Sequence, residues 1–172
     1  MGSLCKGAGV VLMKNKLIDT FNHVTGRHGF DYSVISEDVI IGTNMCCQFG
    51  FAKELLEKDV LADMSLEDEK VDAPHGVDYF LWLPTVDGDA PSPDKLELGV
   101  RTIEFFVKKG IKMYIHCKNG HGRAPTLYIA YLVKSGMDFD AAFSSLKQKR
   151  PGIHLTEKQV HALKTYETRI QK

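Results

Sequence analysis

Five residues separate Cys117 from Arg123 in the run His116-Cys117-Lys118-Asn119-Gly120-His121-Gly122-Arg123. Upstream, residues 111–115 alternate apolar and mostly polar types, as a half-buried strand does. Downstream, Ala124 to Val133 is apolar nearly all round and suits a buried helix, with Pro125 tolerated in its first turn and Gly136 as its stop. The cysteine therefore lies in a loop that feeds a helix N-terminus. Unpaired backbone N–H groups and the helix dipole make such a place hospitable to phosphate. They also favour a thiolate, lowering a cysteine pKa from ~8.5 toward about 3.5–7.5. Gly120 and Gly122 let the backbone approach an anion, and Arg123 offers a planar fork of donors for two phosphate oxygens. The chemistry these parts suit is attack of the Cys117 sulfur on phosphorus, then hydrolysis of the thiophosphate. The competing reading, a cysteine that is merely a small buried apolar residue, leaves the histidine, the glycines and the arginine unexplained.

The Cys-(five residues)-Arg pattern with its preceding histidine resembles the signature of the cysteine-dependent protein tyrosine phosphatase superfamily, in its compact dual-specificity branch. The resemblance covers roughly residues 32–170. It implies Cys117 as nucleophile, Arg123 as phosphate ligand and His116 as the residue that keeps the thiolate pKa low. Lys118, Asn119, Gly120, His121, Gly122 and Arg123 form the expected phosphate-binding run, although Asn119 reads more as a loop-structuring residue than as a substrate contact.

Such a reaction needs a proton donor for the leaving oxygen. The segment 82–93 is rich in Pro and Gly, follows a strand pattern and carries Asp87 and Asp89. Pro84-Thr85-Val86-Asp87 looks like the family's acid loop, so Asp87 is preferred as the acid. Asp89 reads as a solvated or capping residue. Many family members place Ser or Thr after the arginine, where the hydroxyl helps expel the thiolate. Here that residue is Ala124, which predicts slower loss of the intermediate. A Gly-Arg-Ala-Pro continuation also occurs in plant glucan phosphatases of the branch.

Lys118 and His121 would add positive charge at the rim, similar to phosphoinositide phosphatases of the superfamily, and Lys118 pointing to solvent is an equal alternative. Three functions follow in order. The first is a dual-specificity protein phosphatase for phosphotyrosine and phosphoserine/threonine. The second is a phosphatase of a phosphoglycan, phosphoinositide or phosphatidylglycerophosphate. The third is a phosphate-binding pseudophosphatase. The expected partner is a phosphorylated protein or small phosphorylated substrate, with no cofactor and no metal.

The chain has 172 residues, 44% of them apolar, and a formal net charge of zero. That fits one soluble domain and gives no electrostatic case for nucleic acid or a membrane surface. No apolar run is long enough to span a bilayer and no signal peptide is evident, so a cytoplasmic location is expected. Cys5, Cys46, Cys47 and Cys117 do not read as a disulfide framework. Burial as small apolar residues is the preferred reading of Cys46 and Cys47, ahead of a role in rescuing oxidised Cys117. The seven histidines show no metal-ligand spacing.

The elements that must position the loop follow from periodicity. Strands are expected at 32–35, 39–41, 60–66, 77–83 and 111–115. Helices are expected at 51–58, 95–109, 124–133, 138–150 and 156–170, the last with a capping box from Thr156 and Gln159. Alternating strands and helices predict a single α/β domain, a mostly parallel, mixed central sheet flanked by helices, protein-tyrosine-phosphatase-like by the resemblance. Residues 1–30 are read as a helical extension packed on a catalytic domain at 31–172, with Val10, Met13, Leu17, Phe21 and Val24 on one stripe of a helix at 9–25. Residues 51–72 hold eight carboxylates against three lysines and read as a solvated face.

Overall fold

The computed structural model describes residues 29–47 and 50–171. The expected helix at 9–25 and its packing lie outside them. Five strands form one sheet: β1 (Tyr32–Val34), β2 (Val39–Thr43), β3 (Val60–Glu67), β4 (Tyr79–Thr85) and β5 (Lys112–Cys117). Their spatial order is β1-β2-β5-β3-β4. β1 runs antiparallel to β2, and the other three pairings are parallel, so the sheet is mixed as expected. The central strand is β5, and Cys117 ends it, opposite Thr43 of β2. In an open α/β sheet the carboxyl ends of the strands are where ligands bind.

Alternation along β5 assigns its residues to two layers. Met113, Ile115 and Cys117 join the main core with Ile41, Met64 and Leu66. Four helices close that face: α2 (Pro93–Lys109), α3 (Arg123–Lys134), α4 (Phe139–Lys149) and α5 (Glu157–Ile170). Tyr114 points the other way, into a smaller cluster with Ile40, Cys46, Cys47, Phe51, Leu55 and Val60. That face carries a 3-10 turn (Asn44–Cys47) and the short helix α1 (Lys53–Leu56). α3 is buried along nine of its twelve residues, which explains why its sequence lacks a polar stripe.

Boundaries moved where local signals were weak. The helix expected at 51–58 is one turn, ended by Asp59 at positive φ. The strand expected at 77–83 runs two residues later, because the parallel register on β3 pairs Tyr79 with Ala62 and Thr85 with Glu67. α2 starts at Pro93, with the Ser92 hydroxyl accepting from the Lys95 amide, so Ser92 rather than an acid-loop aspartate caps it. The capping box of α5 forms as read, through Thr156 and Gln159.

Candidate active site

The loop between β5 and α3 is shaped from behind. Five consecutive carbonyls accept hydrogen bonds from the surrounding scaffold. Lys118 O accepts from the Asn44 amide (3.2 Å) and His121 O from the His154 amide (3.0 Å). Gly120 O accepts from Arg150 Nε (2.9 Å) and Asn119 O from Arg150 Nη2 (3.3 Å). Gly122 O accepts from the Thr126 amide (2.8 Å) and hydroxyl (2.9 Å). A trans peptide plane that turns its C=O outward turns the next N–H inward. The amides of residues 119–123 therefore face away from those partners, an arrangement that can receive an anion. Gly120 is required: its φ is +66°, and a Cβ there would stand 2.4 Å from Gly42 O. Gly42 is equally confined, since a Cβ would fall 2.1 Å from the Tyr114 hydroxyl.

Arg150, 3% exposed, is the clamp. It leaves the C-terminus of α4, takes the two loop carbonyls, and donates to Asp31 Oδ2 (2.7 Å) and Ser33 Oγ (3.2 Å) at β1. Three pieces of chain are thus tied by one guanidinium.

Arg123 opens α3 and is 1% exposed. Its Nη1 donates to Glu69 Oε2 (2.8 Å) and Thr85 O (2.8 Å), and its Nη2 to Glu69 Oε1 (3.1 Å). Asp87 Oδ1 lies 3.1 Å from the same Nη2, and Asp68 Oδ1 3.6 Å from Nη1. Partial burial pushes the Glu69 carboxyl up, but the hydrogen bonds and charge of Arg123 more than offset this and hold it at about 2. Glu69 belongs to the segment read as a solvated acidic face. That reading fails for Asp63, Glu67, Glu69 and Asp72. Asp63, Glu67 and Asp72 are buried, and Glu69 forms a bidentate pair because an arginine buried at a helix start needs a countercharge.

Asp87 and Asp89 part company. Asp87 faces Arg123 with its side chain 70% exposed. Asp89 pairs with Lys158, and its carbonyl accepts from Gln159 Nε2 (3.0 Å). The neighbouring Gly88 O accepts from the Thr156 hydroxyl (2.8 Å), so the start of α5 anchors this loop. Lys118 is exposed at the rim, while His121 is half-buried with its ring 5.4 Å from that of His154.

His116 is fully buried on the sheet face opposite Cys117. Its Nε2 lies 3.3 Å from Asp63 Oδ1, 3.6 Å from Asp72 Oδ2 and 3.9 Å from Cys47 Sγ. Burial opposes its protonation, but the charges of Asp63 and Asp72 override this and raise its pKa. Glu67 accepts from Asn44 Nδ2 (2.7 Å) and is pushed up by burial. Cys46 and Cys47 are buried as expected, but their sulfurs are joined to each other within the small cluster on this face.

Sequence reasoning found the loop and missed its supports. Arg150 beside Pro151-Gly152 reads as a helix end, and Asp31, Asp63 and Glu69 carry no spacing signal. The one available hint was that a buried Arg123 would require a carboxylate from a strand end.

Comparison with known proteins agrees with this geometry. The family model for the dual specificity phosphatase catalytic domain matches residues 44–169. Protein tyrosine phosphatase type IVA 3 of Mus musculus is 32% identical over 123 residues, covering 70% of this chain and 60% of that protein. Phosphatidylglycerophosphate phosphatase PTPMT1 of Arabidopsis thaliana is 36% identical over 78 residues, covering 45% of this chain and 23% of that protein. The match thus spans about three fifths of the type IVA relative and less of the other. The crystal structure of Tk-PTP in its active form superposes with a TM-score of 0.66 at 31% identity, over 81% of this chain and 97% of that one. With the Cys117 loop, the Arg123 fork and the parallel sheet beneath them, the chain belongs to the dual-specificity phosphatase catalytic-domain family.

Proposed function

We propose that this protein is a phosphomonoester hydrolase working through a cysteinyl-phosphate. The observation that carries this reading is the row of five loop carbonyls tied outward, which leaves inward amides and Arg123 around a sulfur at the floor. In the first step the Cys117 sulfur forms a bond to phosphorus as the ester P–O bond breaks. Asp87 gives its proton to the departing oxygen. In the second step water attacks phosphorus, the S–P bond breaks and Asp87 takes the proton back. The inward amides and the Arg123 fork hold the equatorial oxygens, where charge develops. His116 fixes the strand end that presents Cys117 and tunes the thiolate. Ala124 leaves the thiolate without a hydroxyl at the next position, and the Thr126 hydroxyl is already donated to Gly122 O.

Phosphorylated proteins are the proposed substrates, as the names of the type IVA relative and of Tk-PTP support. A second reading, a phosphorylated lipid or glycan, is favoured by the exposed Lys118 at the rim and by the similarity to the Arabidopsis phosphatidylglycerophosphate phosphatase. Relative kcat/KM on phosphotyrosyl and phosphoseryl peptides, phosphatidylglycerophosphate, inositol phosphates and a phosphoglycan separates the two. Peptides should lead. A lead by a polyanionic substrate, lost in Lys118→Ala with aryl-phosphate hydrolysis retained, would establish the second reading instead.

A further inference from the structure

Beneath the catalytic strand, on the face away from Cys117, four buried side chains of metal-ligating type meet. They come from three places in the chain: Cys46 and Cys47 from the turn after β2, Asp63 from β3 and His116 from β5. One donor atom from each lies within 4.8 Å of all the others. Cys47 Sγ lies 3.5 Å from Asp63 Oδ2 and 3.9 Å from His116 Nε2, and the other carboxylate oxygen, Asp63 Oδ1, lies 3.3 Å from His116 Nε2. A tetrahedral zinc with ordinary bond lengths gives about 3.5 Å for S···O, about 3.6 Å for S···N and about 3.3 Å for N···O.

A second observation points the same way. Asp63 Oδ1 is buried, and its neighbour is His116 Nε2 at 3.3 Å, an ion-pair contact without hydrogen-bond alignment. Two groups paired without that alignment can also be aimed at a common point. Around them are Asp72 and Glu67, both buried, so the pocket is rich in carboxylates, with Lys70 3.4 Å from Asp72. A buried carboxylate oxygen without an aligned hydrogen bond in such surroundings calls for an explanation, and a bound cation supplies one.

The geometry points to a structural divalent-metal site, Cys46/Cys47/Asp63/His116, selective for zinc. Two thiolates and an imidazole favour zinc over magnesium or calcium, and four protein ligands leave no open position for chemistry. The two sulfurs are joined in this structure. The ligand is therefore the dithiol, formed when two equivalents of a thiol reductant deliver two electrons and two protons and leave as their own disulfide. Zinc then displaces the two thiol protons. The bound metal would pin β2, β3 and β5 together one residue from Cys117, on the side the substrate does not reach. Metal binding here does not require turnover, although His116 also belongs to the proposed hydrolysis.

The test uses the full chain carrying Cys117→Ser, so that the nucleophile cannot bind metal, reduced with a phosphine and freed of metal. Zinc is titrated against a chromophoric chelator, and cobalt(II) is added in parallel as a spectroscopic probe. One equivalent of zinc should bind tightly, and cobalt should show tetrahedral d–d bands with a thiolate charge-transfer band. Adding Cys46→Ser and Cys47→Ser should abolish that band and the tight equivalent. Asp63→Asn, which keeps the side-chain shape, should weaken binding by about tenfold or more. Absence of a stoichiometric equivalent in the reduced protein, an octahedral cobalt spectrum, or equal affinity with both serines present would overturn the assignment.

Discussion

Arg123 shows how one residue type serves two states. Its fork is held by Glu69 and touched by Asp87, so it stands ready before an anion arrives. Arg123→Lys keeps the charge and loses the planar fork, and kcat/KM for an aryl phosphate should fall by about 100-fold or more; a loss under threefold would remove Arg123 from the phosphate site. The Glu69 pair also predicts a pH signature. Its carboxyl sits at about 2 instead of the ordinary 4.5. A folded value below the unfolded one adds stability at higher pH and loses it as pH falls through the folded value. The stability gap between wild type and Glu69→Gln should hold above pH ~5 and close between about 4.5 and about 2. Urea melts across that range check it, and a gap that does not change with pH would place the Glu69 contribution in packing instead. Ala124 belongs to this scale too. Ala124→Ser should speed the slow phase after a burst while leaving the burst itself alone, as rapid mixing would show.

At the scale of elements, the loop is a shape imposed by its neighbours. Arg150 reaches it from α4 and anchors itself on β1. Arg150→Met should free the carbonyls of Asn119 and Gly120 and lower kcat/KM by about 100-fold, with weaker vanadate binding, since small misplacements cost that much. Unchanged vanadate affinity would show that the loop holds itself. Thr156 caps α5 and also carries the acid loop through Gly88 O. Thr156→Ala should cost about 1 kcal/mol of stability. It should also reduce turnover, which a cap acting on the helix alone would not do. The sequence announced what was local: the β5–loop–α3 unit, the Thr156 box, the Pro-rich loop after β4. It was silent on Arg150, Glu69 and Asp63, because their roles depend on register between strands distant in the chain. The acidic segment misled for the same reason. Its charge count suggested solvent, while the fold turned Glu67 and Asp72 inward and aimed Glu69 at Arg123.

For the molecule as a whole, formal neutrality conceals two charged clusters, Arg123 with its carboxylate partners and the buried group of His116, Asp63 and Asp72. The parallel order β2-β5-β3 makes this possible, since it brings three strand ends to one edge and lets alternation sort Cys117 from His116. Among the described residues, no helix is long and apolar enough to cross a membrane. An anion held by the loop binds only the folded chain and should raise its melting temperature by mass action. Vanadate or tungstate should do so in wild type and fail in Arg150→Met. The proposed hydrolysis rests on a covalent bond between Cys117 and phosphorus. The direct measurement is rapid quenching in acid after mixing with an aryl phosphate, followed by intact-mass and peptide analysis. The account predicts an early adduct of one phosphoryl group on Cys117, absent in Cys117→Ser and persisting because Ala124 slows its loss. Full turnover with no adduct on Cys117, or turnover retained in Cys117→Ser, would contradict it.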